Sequence, residues 1–136
     1  MDLGNLFGPF DLRAVDRWEA IDELIDHLVV IHNINTEHRD AIAASVRKRE
    51  SSMTTGIGFG IGIPHATTDL IDEVVGVVGR SRKGIQFDAL DGQPVNLVIL
   101  FLVPQGDFQK HLHALANIAK MLHRDDFRDG LRCRYL

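Results

Sequence analysis

The chain has 136 residues, of which 45% are hydrophobic and 25% charged, and its formal net charge is −4. This length and composition are typical of one globular domain, and they argue against disordered and collagen-like classes and against a second independent domain. The 15 basic residues form no long block of the kind that phosphate backbones select, which argues against nucleic acid as a partner.

The N-terminus and the single cysteine bear on the cellular compartment. The segment before Trp18 lacks the basic and continuous apolar regions of a signal peptide, and no apolar run approaches the roughly 18 residues of a membrane span. Cys133 has no cysteine to pair with inside the chain, and nothing near it marks a protected pocket for a nucleophile. We therefore expect a cytoplasmic protein with no direct membrane insertion.

The N-terminal third predicts an arm followed by two helices. Residues 1–12 contain glycine and phenylalanine without periodicity, which predicts a loosely packed N-terminal arm. Apolar residues recur at helical spacing across 18–29, opposite an acidic face, and predict an amphipathic helix. A second helix, capped by Asn35 or Thr36, is predicted to run to about Arg49.

The middle of the chain has the patterns of strands. Glycine alternates with apolar residues across 54–63, which predicts one strand that Pro64 closes, with residues 65–69 as a turn. Further strands are predicted at 73–79 and 96–103, and the second is apolar almost throughout, as in a central strand covered on both faces.

The remaining predicted elements complete a layered domain. A short strand is predicted at 85–87, with the basic run 80–83 before it as a solvated hairpin edge. A third helix is predicted after Asp107 and a short fourth at 125–131. Helices at both ends around several strands indicate an α/β domain.

The glycine-rich segment does not match a nucleotide-binding motif. G-x-G-x-x-G requires glycine five residues after the first, but isoleucine or histidine stands there in the registers that begin at Gly56, Gly58 and Gly60. The P-loop pattern G-x-x-x-x-G-K-[ST] is absent from the sequence as well. The glycines indicate either close packing of a strand or a backbone that approaches a ligand.

Three side chains are candidates for chemistry, each with a structural alternative. His65 follows Pro64 at a strand end. There it is either a neutral imidazole that acts as a nucleophile or an ordinary exposed loop residue. His111 falls on the apolar face of the third helix, whereas His113 faces solvent. His111 is therefore either a site residue or a buried histidine that is hydrogen-bonded to a backbone carbonyl. Arg49 continues the apolar stripe of the second helix. Its guanidinium either binds phosphate oxygens through two parallel hydrogen bonds or complements the helix dipole.

The other histidines show no spacing of zinc ligands. We therefore expect no metal site.

An ordered set of residues resembles a known family. Arg49-Glu50 and the segment 54–65 strongly resemble the active-site signature of the fructose/mannitol-type enzyme IIA domains of the bacterial phosphoenolpyruvate-dependent sugar phosphotransferase system, which include the nitrogen-regulatory IIA proteins. The similarity covers nearly the whole chain from about Asp11. It continues through 84–87, 91–95, 97–103 and His111-Leu112.

The resemblance implies a fold and a reaction. The fold is a single domain over 13–136, a mixed β-sheet flanked by helices on both sides. His65 matches the histidine that accepts a phosphoryl group, while His111 and Arg49 match the family's helix histidine and its arginine. The phosphoryl group arrives from a histidine phosphocarrier and leaves for a cysteine of a IIB partner in sugar uptake or regulation, without a metal or organic cofactor.

A second reading of the resemblance is a regulatory module of the nitrogen-related system, whose choice of protein partner depends on phosphorylation of His65. Two features depart from the family. Gly62 stands where alanine is common, which predicts a looser strand. The chain also ends soon after the fourth predicted helix begins, whereas the family continues with more helix, which is consistent with a C-terminal truncation.

Overall fold

The computed structural model describes residues 6–52, 54, 56–58 and 60–105. The predicted third and fourth helices lie outside the described residues. The helices and strands of the described part follow in chain order: β1 (Leu6–Asp11), α1 (Arg17–Ile31), a 3-10 turn (Thr36–His38), α2 (Arg39–Ser52), β2 (Gly56–Gly58), β3 (Ile61–Gly62), β4 (His65–Thr68), β5 (Val75–Ile85) and β6 (Val95–Pro104).

These strands form one six-stranded mixed sheet in the order β1-β5-β6-β3-β2, with β4 also paired to β6. Strand β5 runs antiparallel to β6, whereas β3 and β4 run parallel to it. The mixed sheet and its helices confirm the predicted α/β class. The helices expected on the second face of the sheet fall on residues outside the described part.

Strand β6 is the centre of the sheet. Val98, Leu100 and Leu102 belong to the core that the sheet shares with the helices. The alternate residues Ile99 and Phe101 point to the other face and are only 5% exposed. The prediction of a central strand that is covered on both faces is therefore confirmed.

The two described helices form where the sequence predicts them. The side chain of Asp16 caps α1 by accepting the N–H of Glu19, and Asn35 caps the 3-10 turn before α2 by accepting the N–H of Glu37. The helices pack against each other, and α1 covers β5 while α2 covers β4. Neither helix is long and apolar enough to span a membrane.

The N-terminal segment differs from its prediction as an arm. Backbone pairing places β1 parallel to β5, with Leu6 opposite Gly76 and Asp11 opposite Arg80. The Arg80 guanidinium donates a hydrogen bond to Asp11 over 2.6 Å. Local periodicity did not reveal this strand because its partner lies about 70 residues along the chain.

The glycine segment forms two strands where one was predicted. Strands β2 and β3 pair as an antiparallel hairpin, and Gly60 between them has a φ of 78°. An alternating pattern does not mark this turn, because glycine occupies every second position and adopts positive φ without steric cost.

The prediction of a turn after Pro64 was wrong. The residues expected to form a turn after Pro64 begin β4, because pairing with β6 supplies hydrogen-bond partners for their backbone. The basic run 80–83 lies in β5, which pairs antiparallel with β6 and has no residue paired to β1 beyond Arg80, and Arg82 and Lys83 are exposed, as expected for a solvated hairpin edge. The predicted short strand at 85–87 is reduced to the end of β5 and a single bridge between Gln86 and Asp16.

Gly62 is closely packed. A Cβ atom on this residue would lie 2.9 Å from Cζ of Phe87, whose side chain is fully buried. The loop after Phe87 is tied to the same hairpin, since Thr54 donates to the Phe87 carbonyl and the Leu90 N–H donates to Gly56. The strand is therefore not loosened at Gly62, because the aromatic ring fills the space that a methyl group would need.

We expect Gly62→Ala to destabilise the protein by about 1 to 3 kcal/mol through overpacking. Phe87→Leu alone should cost about 1 to 2 kcal/mol through lost volume. Because the smaller side chain makes room for the new methyl group, the double variant should be more stable than the sum of the two single changes. Urea unfolding of the four proteins measures this coupling, and additive effects would contradict the contact.

Candidate active site at His65

His65 is the first residue of β4. The Phe101 N–H donates a hydrogen bond to the carbonyl of Pro64 over 3.2 Å, and His65 lies opposite Phe101 in the sheet register. The two rings stack with their centroids 5.1 Å apart and their planes within 7°. Since the next residue, Ala66, belongs to the core under the helices, the imidazole lies on the sheet face away from α1 and α2.

A backbone carbonyl determines the tautomer of His65. Nδ1 lies 2.9 Å from the carbonyl oxygen of Ile63. Because a carbonyl oxygen only accepts hydrogen bonds, Nδ1 carries the proton and Nε2 of the neutral ring keeps its lone pair. Nε2 is therefore the nitrogen of His65 that can act as a nucleophile.

The surroundings favour the neutral imidazole. Burial of the ring lowers the pKa of His65 below its ordinary value of 6.5, and the positive charge of Arg49 lowers it further. The hydrogen bond to Ile63 and the negative charge of Glu50 oppose this shift. Because the effects that lower the pKa outweigh those that raise it, His65 is mostly neutral at pH 7 and its Nε2 is available for reaction.

Arg49 lies in the last turn of α2, where its charge reaches His65. Its side chain is exposed, so it does not continue the apolar stripe of the helix as the sequence predicted. The buried positions of α2 are Ile42, Ala43, Val46 and Glu50. This position is compatible with Arg49 as a donor to phosphate oxygens and with Arg49 as a complement to the helix dipole, since a cation in the last turn also serves the second role.

Glu50, next to Arg49 in α2, is a buried carboxylate that the sequence analysis did not single out. It is 1% exposed, and its Oε1 lies 3.3 Å from Nη1 of Arg17. The signal was present in the sequence, because Glu50 stands four residues after Val46 and thus on the apolar face of the helix. A carboxylate at such a position is unusual unless it is paired.

His111 and His113 of the third helix lie outside the described residues, as does Cys133. In the part of the chain that the structure describes, no three metal-type side chains come together as ligands.

The comparisons of this chain with known proteins agree with the family resemblance seen in its sequence. Residues 9–134 match the family model described as "Phosphoenolpyruvate-dependent sugar phosphotransferase system, EIIA 2". The PTS system fructose-specific EIIA component of Haloferax volcanii is 39% identical over 112 residues, which cover 82% of this chain and 71% of that protein. A nitrogen regulatory protein of Bradyrhizobium diazoefficiens is 38% identical over 121 residues, covering 89% and 77% respectively.

A solved structure extends the similarity to the fold. The crystal structure of the nitrogen regulatory protein IIA-Ntr from Neisseria meningitidis superimposes with a TM-score of 0.78 at 26% sequence identity. The match covers 96% of this chain and 86% of that one.

The lowered pKa of His65 predicts a pH dependence of stability. The unfolded chain binds a proton near pH 6.5, before the folded protein does, so the histidine's contribution is complete above pH 6.5 and is lost as the pH falls from there through the folded pKa. The free energy of unfolding of the wild type, relative to that of His65→Gln, should therefore decrease as the pH falls from 8 to about 5. Urea unfolding across this range measures the difference, and a constant difference would contradict the assignment.

Proposed function

The chain belongs to the EIIA 2 family of the phosphoenolpyruvate-dependent sugar phosphotransferase system, and we propose that it carries a phosphoryl group on Nε2 of His65. It is accordingly a phosphotransferase component of that system. The observation that carries the proposal for His65 is the hydrogen bond from its Nδ1 to Ile63, which leaves Nε2 as the free nucleophile. The donor is the phosphorylated histidine of a phosphocarrier protein in the cytoplasm, and the acceptor is a cysteine of a IIB partner.

The proposed step exchanges one N–P bond for another. The bond to the donor histidine breaks, and its electron pair stays on the donor nitrogen. The lone pair of Nε2 forms the new bond, and the His65 ring gains positive charge as it does so. Because Nδ1–H already donates to the Ile63 carbonyl, that charge is stabilised and no proton has to leave the ring.

Phosphoryl transfer has a loose transition state, so the protein mainly positions the groups and neutralises oxygen charge. We assign this neutralisation to Arg49, whose charge reaches His65 from the end of α2. As the family resemblance implies, His111 is the second donor to the phosphoryl oxygens. No metal or organic cofactor takes part in this scheme.

A regulatory role is the second candidate function. It is favoured by the similarity to the nitrogen regulatory protein of Bradyrhizobium diazoefficiens and to the IIA-Ntr structure. In this case phosphorylation of His65 changes which protein the chain binds. Transfer of the phosphoryl group to a IIB cysteine supports the carrier role, whereas binding of a target to only one phosphorylation state supports the regulatory role.

We expect His65→Gln to abolish phosphorylation by phosphoenolpyruvate, enzyme I and the phosphocarrier, because glutamine has no nucleophilic ring nitrogen. The wild type should gain one acid-labile, base-stable phosphoryl group, detected by intact mass at alkaline pH. His38→Gln is the matched control, since His38 lies before α2, at the other end of that helix from the site. Full phosphorylation of the His65→Gln variant would show that the acceptor is another residue.

Arg49→Lys should slow phosphoryl acceptance by on the order of 10²-fold, because lysine keeps the charge but loses the planar two-point fork. Rapid-quench measurement of the transfer rate tests this. Arg47→Lys is the control, an identical change in the same helix at a residue that pairs with Asp22. Equal rates for Arg49→Lys and the wild type would show that Arg49 only complements the helix dipole and does not act in the transfer.

A further inference from the structure

Phe101 lies directly against the candidate acceptor, on the central strand of the sheet. Its ring centroid is 5.1 Å from that of the His65 imidazole, and the two planes lie within 7° of each other. The contact follows from strand pairing, because the two residues are register partners in β6 and β4 and their side chains therefore leave the sheet on the same face. Phe101 is only 5% exposed, so close packing holds its ring in place.

Two contacts together fix the orientation of the imidazole. The carbonyl of Ile63 accepts the Nδ1–H hydrogen bond at 2.9 Å, which sets the direction of one ring nitrogen. The stack on Phe101 sets the plane of the ring, which a single hydrogen bond leaves free to rotate. Nε2 of His65 is therefore held in one direction before any donor binds, and a nucleophile that is oriented in advance reaches the transition state at a lower entropic cost.

The aromatic face of Phe101 also acts on the charge of the imidazole. The π-system of phenylalanine is negative on its face, and a cation within about 6 Å of the ring centroid is attracted to it. The imidazole of His65 lies inside this distance. The stack therefore favours the charged imidazole over the neutral one, in a place where burial and the charge of Arg49 act in the opposite sense.

We propose that Phe101 is a positioning residue for phosphoryl transfer, whose ring holds the plane of the His65 imidazole and stabilises the positive charge that this imidazole gains when Nε2 is phosphorylated. The proposal rests on the proposed function of His65. Phe101 forms no covalent bond and exchanges no proton in the step. Because the phosphoryl group extends from Nε2 in the plane of the imidazole, the two rings remain stacked after the transfer.

The first test keeps the shape of the ring and removes its negative face. In the variant Phe101→pentafluorophenylalanine the carbon skeleton is unchanged, but the fluorine atoms withdraw electron density and make the face positive. The equilibrium between the phosphocarrier and this chain should shift away from phospho-His65 by on the order of fivefold. The readout is the phosphorylated fraction of each protein at equilibrium, by intact mass at alkaline pH. No shift, or a shift toward phospho-His65, would overturn the proposal.

Phe10 offers a matched control, because it also stacks on a histidine. Its ring centroid lies 4.0 Å from that of His27 with the planes within 11°, and Phe10 packs against the core on the helix side of the sheet. The same replacement at Phe10 should leave the phosphoryl equilibrium unchanged. A shift as large as that caused at Phe101 would show that the fluorinated ring acts through the fold as a whole and not through contact with His65.

A second measurement does not depend on phosphoryl transfer. In the unphosphorylated protein, NMR titration should give a lower pKa for His65 with the fluorinated ring than with phenylalanine at position 101, because the imidazolium loses a favourable contact. Arg49 and Glu50, the charged groups that act on this pKa, are the same in both proteins. An unchanged or raised pKa would overturn the proposal even where transfer proceeds. Should the wild type accept no phosphoryl group, the proposed function fails, and the role of Phe101 in transfer fails with it whatever the pKa.

Phe101→Leu tests the orientation of the imidazole. Leucine has no flat face to hold the plane of the ring, so the rate of phosphoryl acceptance at saturating phosphocarrier, measured by rapid quench, should fall by on the order of tenfold. The phosphocarrier concentration that gives half of this rate should stay close to that of the wild type, because the changed side chain is buried. Phe10→Leu, the same change at the other stack, should affect neither quantity. Equal rates for the two leucine variants would contradict the proposal, and this pair decides it alone if the fluorinated protein fails to fold.

Discussion

Strand β6 runs through the middle of the sheet with both faces buried, and the strands that carry the site pair with it in parallel. This pairing places His65 opposite Phe101, so the imidazole stacks on an aromatic ring that is itself fixed in the core. It also closes the chain between β3 and β4 tightly enough for the Ile63 carbonyl to reach Nδ1. The choice of Nε2 as the free nitrogen thus depends on the position of a strand.

The chemistry around His65 is a balance of opposing effects. Burial and Arg49 favour the neutral ring that a nucleophile needs, whereas the Ile63 carbonyl and Glu50 favour the charged ring. The function proposed for His65 requires such a balance, because a histidine that held the phosphoryl group too strongly would accept it and not release it. The ion pair of Glu50 with Arg17 ties this balance to the packing of α1 on α2.

Close packing around the glycines supports the same geometry. The ring of Phe87 fills the space over Gly62, and Ala89 lies against Gly56, so the hairpin before the site rests on a fixed surface. Of the two readings that the glycine pattern left open, this favours close packing. The ligand-approach reading is not needed to explain Gly56 or Gly62, because neither has the space for a Cβ atom.

Local patterns in the sequence predict the α/β class, the two described helices, the Asn35 cap before α2, the central apolar strand and a reactive position for His65 after Pro64. Each of these depends on local spacing or on residue type, which the chain states directly. Contacts between distant parts of the chain make residues 6–11 a strand, turn the glycine segment at Gly60, make β4 a strand, and bury Glu50 while Arg49 is exposed. The strands depend on pairing between distant residues, and the burial of Glu50 depends on a difference of one residue in helix phase. Local sequence patterns do not specify contacts that are made across the sheet.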